Sequence, residues 1–239
     1  MPDALTLTVR ELLAPTPTLR RLVLALDDVP FVYQAGQAAM LGVHGQRDRR
    51  PYSIASAPAD SSTDGSIEFL LRANPGGGIG RHLELAHAGS RVDFEGPFGS
   101  FLLPETLPEV PLLFVAGGTG LAPLRSLARE ARARGHRGPR HLLYSVKDPA
   151  DIAYAGELSA WEQDHAGEAL VTVTRHASRD WTGRRGRIDM ALLRRFVGNA
   201  PPLCFLCGPS TMVEDLSHVL SQLHVPADHI RTEQWASTT

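Results

Sequence analysis

Four consecutive residues, Arg50-Pro51-Tyr52-Ser53, put a cation, an aromatic plane and a hydroxyl in one short segment. Alternate side chains on a strand point the same way, so Arg50 and Tyr52 share a side. Arg50 can take a phosphate while Tyr52 lies along a flat ring, and the Ser53 hydroxyl can reach a ring nitrogen. Those are the needs of a flavin, with its anionic phosphates, apolar ring faces and polar N5. A plain edge strand with an exposed arginine and a half-buried tyrosine has the same pattern, so these residues gain meaning only from their context. Further on, Gly117-Gly118-Thr119-Gly120 follows the apolar run Leu112 to Ala116 and precedes a helical spacing. A glycine turn between a buried strand and a helix lets backbone N–H groups approach a pyrophosphate. Pro123 stands where the usual fingerprint has its third glycine, inside the first helical turn, where a missing N–H costs little.

These residues need two kinds of scaffold. The first hundred residues read mainly as strands: Leu5 to Arg10, Leu19 to Leu26, Ala38 to Val43, Tyr52 to Ser56, Ser66 to Arg72 and Ser90 to Phe94. Many short strands separated by turn residues indicate an antiparallel sandwich or barrel. One helix is expected within it, over Gly80 to Ala88, just after Gly76-Gly77-Gly78. Its N-terminal amides could bind a second anionic group.

The rear half alternates strands and helices. Leu112 to Ala116 reads as a strand buried on both faces. The helix after it carries Leu124, Leu127, Ala128 and Ala131 at i, i+3, i+4 and i+7. Further strands are Leu142 to Val146, Leu170 to Thr174, Leu203 to Leu206 and Ile230 to Trp235. Helices are expected near Gly156 to Gln163, over Met190 to Val197 and over Thr211 to Leu223. Such alternation implies a doubly wound parallel sheet, with ligands at the carboxyl ends of its strands. Cys207-Gly208-Pro209 ends one of those strands. The boundary falls in the proline-rich stretch Pro104 to Pro111, giving domains over 1–104 and 105–239.

Bulk properties exclude several classes. The chain has 239 residues, 24 Lys plus Arg against 26 Asp plus Glu, and a net charge of -2. That leaves no electrostatic footprint for nucleic acid. No apolar run approaches the roughly 18 residues that span a membrane. The N-terminus alternates polar and apolar residues and does not read as a signal peptide. The two cysteines, Cys204 and Cys207, exclude a disulfide framework and are too few for a four-cysteine iron–sulfur cluster. The pair has no partner pair and the histidines lack ligand spacing, so no metal is expected. His82 and His87 read as surface or cap residues, and Cys204 as a small buried thiol. The simplest setting is a reduced cytoplasm.

Taken in order, Arg50-x-Tyr52-Ser53, the Gly77–Leu83 loop, Gly96-Pro97-x-Gly99, Gly117-Gly118-Thr119-Gly120-x-x-Pro123 and Cys207-Gly208-Pro209 resemble the ferredoxin–NADP reductase superfamily. They are most similar to the flavin and nucleotide modules of bacterial oxygenase reductases, without the iron–sulfur domain. The resemblance covers Leu5 to Trp235. It implies a Greek-key antiparallel β-barrel that binds FAD, followed by the doubly wound NAD(P) domain. It assigns Arg50 to the FAD pyrophosphate, with Pro51 in the same strand, Tyr52 to the isoalloxazine and Ser53 to N5. The backbone of Gly77, Gly78, Ile79 and Gly80 holds further phosphate oxygens. Gly80 stands where the family commonly has Ser or Thr, so one hydroxyl contact is missing there. Gly117, Gly118, Thr119, Gly120 and Pro123 are assigned to NAD(P), with Cys207, Gly208 and Pro209 beside the nicotinamide.

The same resemblance makes Ser145, Lys147 and Arg175 the candidates for a ribose 2′-phosphate, which favours NADPH, while Asp148 keeps NADH open. Glu233 and Trp235 fall where an acid and an aromatic flank the flavin. Ser53, Tyr52, Cys207 and Glu233 then form the reacting centre. The implied activity is hydride transfer from NADPH to FAD N5, followed by single-electron transfer to a redox protein on another chain. That acceptor is a ferredoxin, a flavodoxin or an oxygenase component. A reductase that releases free reduced flavin and a flavin-binding regulatory subunit without turnover are the alternatives.

Overall fold

The computed structural model describes residues 5–27, 29–73, 82–83, 86–175, 181–198 and 200–235, and the side chains of these except that of Trp235. The front half is a six-stranded antiparallel sheet built from β1 (Leu5–Leu13), β2 (Leu19–Ala25), β3 (Ala38–Val43), β4 (Arg50–Ser53), β5 (Ser66–Arg72) and β6 (Arg91–Phe98). Their spatial order is β4-β3-β6-β1-β2-β5. The two edges meet where Ile54 bridges Phe69 and the Ala55 N–H donates to the Glu68 carbonyl at 2.7 Å. The sheet thus curls into a near-closed barrel, which leaves few unpaired edge groups. Leu7, Val9, Leu22, Leu24, Leu41, Ile67, Phe69 and Phe94 fill its interior. Each such side chain contributes about 2 kcal/mol by leaving water.

The rear half contains β7 (Leu112–Gly117), α2 (Leu121–Ala133), β8 (Arg140–Val146), α3 (Ala155–Ser159), α4 (Trp161–His165), β9 (Ala169–Val173), β10 (Arg184–Arg185), α5 (Met190–Val197), β11 (Leu203–Pro209), α6 (Ser210–Gln222) and β12 (Ile230–Trp235). All strand pairs are parallel, in the order β10-β9-β8-β7-β11-β12. Period-two alternation explains the continuous apolar runs. Leu112, Phe114, Ala116, Phe205 and Cys207 pack on the face covered by α2. Leu113, Val115, Cys204 and Leu206 pack on the other, under α5 and α6. The chain reverses its direction of winding between β7 and β11, which opens a crevice at their carboxyl ends.

Barrel and sheet share one apolar cluster, in which Leu19, Ala35, Ala55 and Leu70 meet Leu124, Leu127 and Phe114. Several elements differ from the sequence expectation, and β1, β6 and β11 run on to Leu13, Phe98 and Pro209, beyond the expected ends at Arg10, Phe94 and Leu206. The helix expected near 156–163 is two short helices, because the backbone at Ala160 leaves the helical region at φ -92° and ψ 0°. The strand expected over 52–56 starts at Arg50 and ends at Ser53, before residues 54 and 55 cross to β5. Besides three single-turn 3-10 helices, the additional elements among the described residues are β10 and a helix α1 (Pro58–Asp64), which lies between β4 and β5. The helix expected over 80–88 falls largely outside the described residues, of which His82 and Leu83 form a turn. Among the described residues no helix is long and apolar enough to cross a membrane.

Candidate functional site

Strand β4 lies against β3 with Tyr52 opposite Ala39 and Ser53 opposite Ala38. On the other side of β3, a Cβ at Gly96 would stand 3.1 Å from that of Ala39, so glycine lets β6 pass close. The small residues leave space for the side chains of β4. Ser53 reaches across to the rear half. Its Oγ donates to Glu233 Oε2 at 3.0 Å, and the Cys207 thiol lies 3.6 Å from the same oxygen. Cys207 and Glu233 are direct register partners on β11 and β12, which puts both side chains on one face. Three residues expected to react are therefore joined, although they come from β4, β11 and β12.

The cluster borders a cavity of about 480 Å3 lined by Gly99, Ser100, Phe101, Arg231, Thr232 and Glu233. Burial pushes the Glu233 carboxyl above its ordinary value, partly offset by hydrogen bonds from Ser53 and Cys207. Burial, with Glu233 beside it, holds the Cys207 thiol well above its usual range. The sulfur thus stays protonated, a packing surface rather than a nucleophile.

Glu233 holds its proton more tightly in the folded chain than in the unfolded one, so ionising it above its folded pKa costs stability. Glu233→Gln imitates the protonated form and can still accept from Ser53. Its melting temperature should exceed the parent's at pH 8, where the parent carries the buried carboxylate. The difference should vanish as the pH falls below the ordinary carboxyl value of 4.5. A gap that persists unchanged at low pH, read by calorimetry, would refute this assignment.

The flavin-side residues split into three groups. Arg50 is exposed, its Nε 3.5 Å from Asp48 Oδ1, which leaves the guanidinium free to turn to an anion. Pro51 is exposed beside it. Tyr52 is half-buried, and its hydroxyl lies 2.5 Å from His82 Nε2 with the rings nearly parallel at 17°. Burial drives the Tyr52 phenol up to about 12 and lowers the His82 imidazole, so both are neutral near pH 7. His82 is 6% exposed, which corrects the surface or cap reading. It had no sequence signal, because Tyr52 lies 30 residues away. Gly77, Gly78, Ile79 and Gly80 lie outside the described residues. Trp235 occupies the end of β12, opposite Pro209, and its side chain lies outside the description too.

On the nucleotide side, a Cβ at Gly208 would stand 3.2 Å from the Gly117 Cα and 2.7 Å from Met212 Cε. One at Gly117 would stand 2.9 Å from Met212 and Pro209. Glycine at both strand ends lets the ends of β7 and β11 approach each other closely beneath Met212. Gly118 has φ +55°, a left-handed conformation that other residues adopt at a cost. It leads through Thr119 and Gly120 into α2, whose N-terminus has no side-chain cap, and Pro123 is buried in the first turn. The Leu121 N–H is taken by the Gly118 and Thr119 carbonyls and Pro123 has none, so the donors available to an anion are the amides of the glycine turn that precedes α2.

Arg72, at the end of β5, is a cation that sequence reasoning missed. Its Nη2 lies 3.5 Å from where a Gly118 Cβ would stand, so the barrel extends a positive charge over the glycine turn. Lys147 and Arg175 are exposed at the ends of β8 and β9 and joined through the Arg175 N–H to the Lys147 carbonyl at 3.1 Å. Ser145 is half-buried on β8, two residues before Lys147. The residues present thus fit both a flavin and a pyridine dinucleotide.

A barrel that offers its β4 to a parallel sheet with a glycine turn defines a two-domain flavin and nucleotide oxidoreductase. Residues 4–102 match the oxidoreductase FAD-binding domain, and residues 114–218 match the oxidoreductase NAD-binding domain. Ferredoxin–NADP reductase B of Sorangium cellulosum is 31% identical over 220 residues, which cover 87% of this chain and 88% of that protein. The reductase component of the naphthalene 1,2-dioxygenase system of Pseudomonas putida is 32% identical over 93% of this chain. The match spans 66% of that relative, so the chain covers slightly less than two thirds of its length. The crystal structure of an Amycolatopsis cytochrome P450 reductase superposes with a TM-score of 0.87 and 29% identity, over 99% of this chain and 71% of that one. The chain belongs to the ferredoxin–NADP reductase family.

Proposed function

We propose that this protein is an FAD-dependent NAD(P)H reductase that passes electrons singly to a redox protein on another chain. The observation that carries the reading is the meeting of Ser53, Glu233 and Cys207, which joins the flavin strand to the nicotinamide end of the sheet. Arg50, Pro51, Tyr52 and Ser53 would hold the FAD, together with the 77–80 segment and Trp235. Gly117 to Gly120, Pro123 and Arg72 would hold the nucleotide pyrophosphate, and Cys207, Gly208 and Pro209 would border the nicotinamide. When bound, FAD accepts two electrons as a hydride and can release them one at a time. The protein's part is to hold two rings face to face and keep water out. Tyr52 would orient one ring, and the Ser53 hydroxyl would donate a hydrogen bond to N5 while keeping its proton. No strong acid or base is required.

Ser145, Lys147 and Arg175 favour NADPH over NADH, since two cations at adjacent strand ends suit a ribose phosphate. We place the domain boundary between residues 104 and 105. The two free, buried cysteines suit a reducing compartment, and we place the protein in the cytoplasm. The acceptor belongs to the same class as those served by the dioxygenase and P450 reductases above, namely a ferredoxin, flavodoxin or oxygenase component. Parallel anaerobic titrations of the FAD-loaded protein with NADPH and NADH test the reading. Bleaching of the flavin by NADPH at lower concentration than NADH is expected. A protein that takes up FAD and is bleached by neither nucleotide is not a reductase.

A further inference from the structure

Helix α2 touches both halves of the molecule. Its N-terminus continues the glycine turn Gly118–Gly120. One turn further on, Arg125 Nη1 donates to the Ala55 carbonyl at 2.7 Å, and the fully buried Ser126 hydroxyl donates to the Ser56 carbonyl at 2.7 Å. Those carbonyls lie two and three residues beyond Ser53. The same guanidinium grips Glu157 with Nε at 2.8 Å and Nη2 at 2.7 Å, and lies 4.5 Å above the ring of Tyr154. The Tyr154 hydroxyl donates to Glu68 Oε1 on β5 at 2.5 Å, and Glu68 is also held by Arg21 at 3.0 Å. A turn later, Arg129 makes a bidentate pair with Asp60 on α1, at 2.6 and 2.8 Å. Tyr154 takes φ +54°, a left-handed conformation unfavourable for a tyrosine.

We infer that Arg125 is a positioning residue, and that α2, held by it, is the strut that sets the spacing between the flavin strand and the nucleotide turn. The inference rests on the proposed reductase function. Domains within a chain move relative to one another unless something fixes them. The shared apolar cluster supplies adhesion, but burial of apolar surface has no direction. Direction comes from a planar guanidinium that satisfies a carbonyl and a carboxylate together, which an ammonium cannot imitate. Arg125 thus ties the backbone just after Ser53 to the helix just after Gly120. A misplacement near 1 Å between reacting rings can cost about a hundredfold in rate. Tyr154 keeps its strained backbone because its ring and hydroxyl complete the same lock.

The test uses Arg125→Lys and the milder Tyr154→Phe, each in the full chain. FAD affinity of the apoprotein, read by fluorescence quenching, should stay within about twofold of the parent. NADPH affinity from the saturation curve should stay within about threefold. The limiting rate of anaerobic bleaching should fall at least about tenfold in Arg125→Lys and less, in the same sense, in Tyr154→Phe. The long-wavelength charge-transfer absorbance of the stacked rings should weaken in parallel, and Arg125→Lys apoprotein should scatter X-rays as a larger particle. Limiting rates within twofold of the parent in both variants would overturn the inference, and so would a loss that follows weaker FAD or NADPH binding. Tyr154→Phe decides the matter if Arg125→Lys does not fold. If the parent itself is not bleached, the reductase reading fails. The scattering comparison then still judges the strut, and an unchanged profile rejects it.

Discussion

Replacing Ser53 by alanine is expected to slow anaerobic bleaching of the FAD-loaded protein by NADPH about 30-fold. FAD affinity should change by less than about threefold. The hydroxyl has one proton, so it can donate to only one acceptor at a time. In this structure that acceptor is Glu233 Oε2. With FAD bound, the proposed acceptor is N5, where charge changes during the reaction. A hydrogen bond to a group that gains charge is worth about 1.5–3 kcal/mol, and tenfold in rate corresponds to about 1.4 kcal/mol. FAD binding is spread over Arg50, Tyr52 and the phosphate contacts, so one lost hydroxyl weakens it little. Stopped-flow bleaching and titration of the apoprotein measure the two quantities separately. Equal losses in rate and affinity would show that Ser53 merely helps hold the ring.

The legible part of the molecule is the part written locally. Strands β3, β5 and β12 and helix α5 have the bounds that period and turn residues indicate, since their apolar faces repeat every two or every 3.6 residues. Helix α1 has no such face. Of Pro58 to Asp64 only Ser61 is buried, and the helix is held by Asp60, which accepts from the Ala57 N–H at 3.1 Å and from Arg129. Strand β10 is two arginines whose only strand signal is their pairing with Thr172 and Val173. The site divides the same way. Ser53, Cys207 and Gly117 to Gly120 stand in recognisable runs. His82 and Arg72 owe their places to contacts made across the fold, and no local run marks them. Arg125 lies 70 residues from the carbonyl it holds, and on the helix it reads only as a charge on the polar face.

Gly36→Ala is expected to lower the melting temperature by about 10 °C, whereas Gly89→Ala lowers it by only about 3 °C. Both glycines take positive φ, +92° and +86°, so both substitutions carry the backbone cost of about 1–2 kcal/mol. Only one of them meets other atoms. A Cβ at Gly36 would stand 1.9 Å from the Phe101 carbonyl oxygen and 3.0 Å from Leu127 Cδ2, while nothing lies within 4 Å of a Cβ at Gly89. The nearest obstacle is backbone, which cannot swing aside as a side chain can, and overpacking of this kind costs about 1–3 kcal/mol more. For a chain of this length each kcal/mol shifts the midpoint by about 2–4 °C. Gly36 sits where the barrel, the segment leaving it and α2 converge, so relief of the clash must shift the backbone at Phe101 against the barrel and press on Leu127 of α2. The bleaching rate of Gly36→Ala should then fall along with its stability, because Gly36 lies two residues before Ala38, the strand partner of Ser53. Equal thermal losses in the two variants would mean that this junction is loose, and that the close approach at Gly36 does not hold the two halves in place.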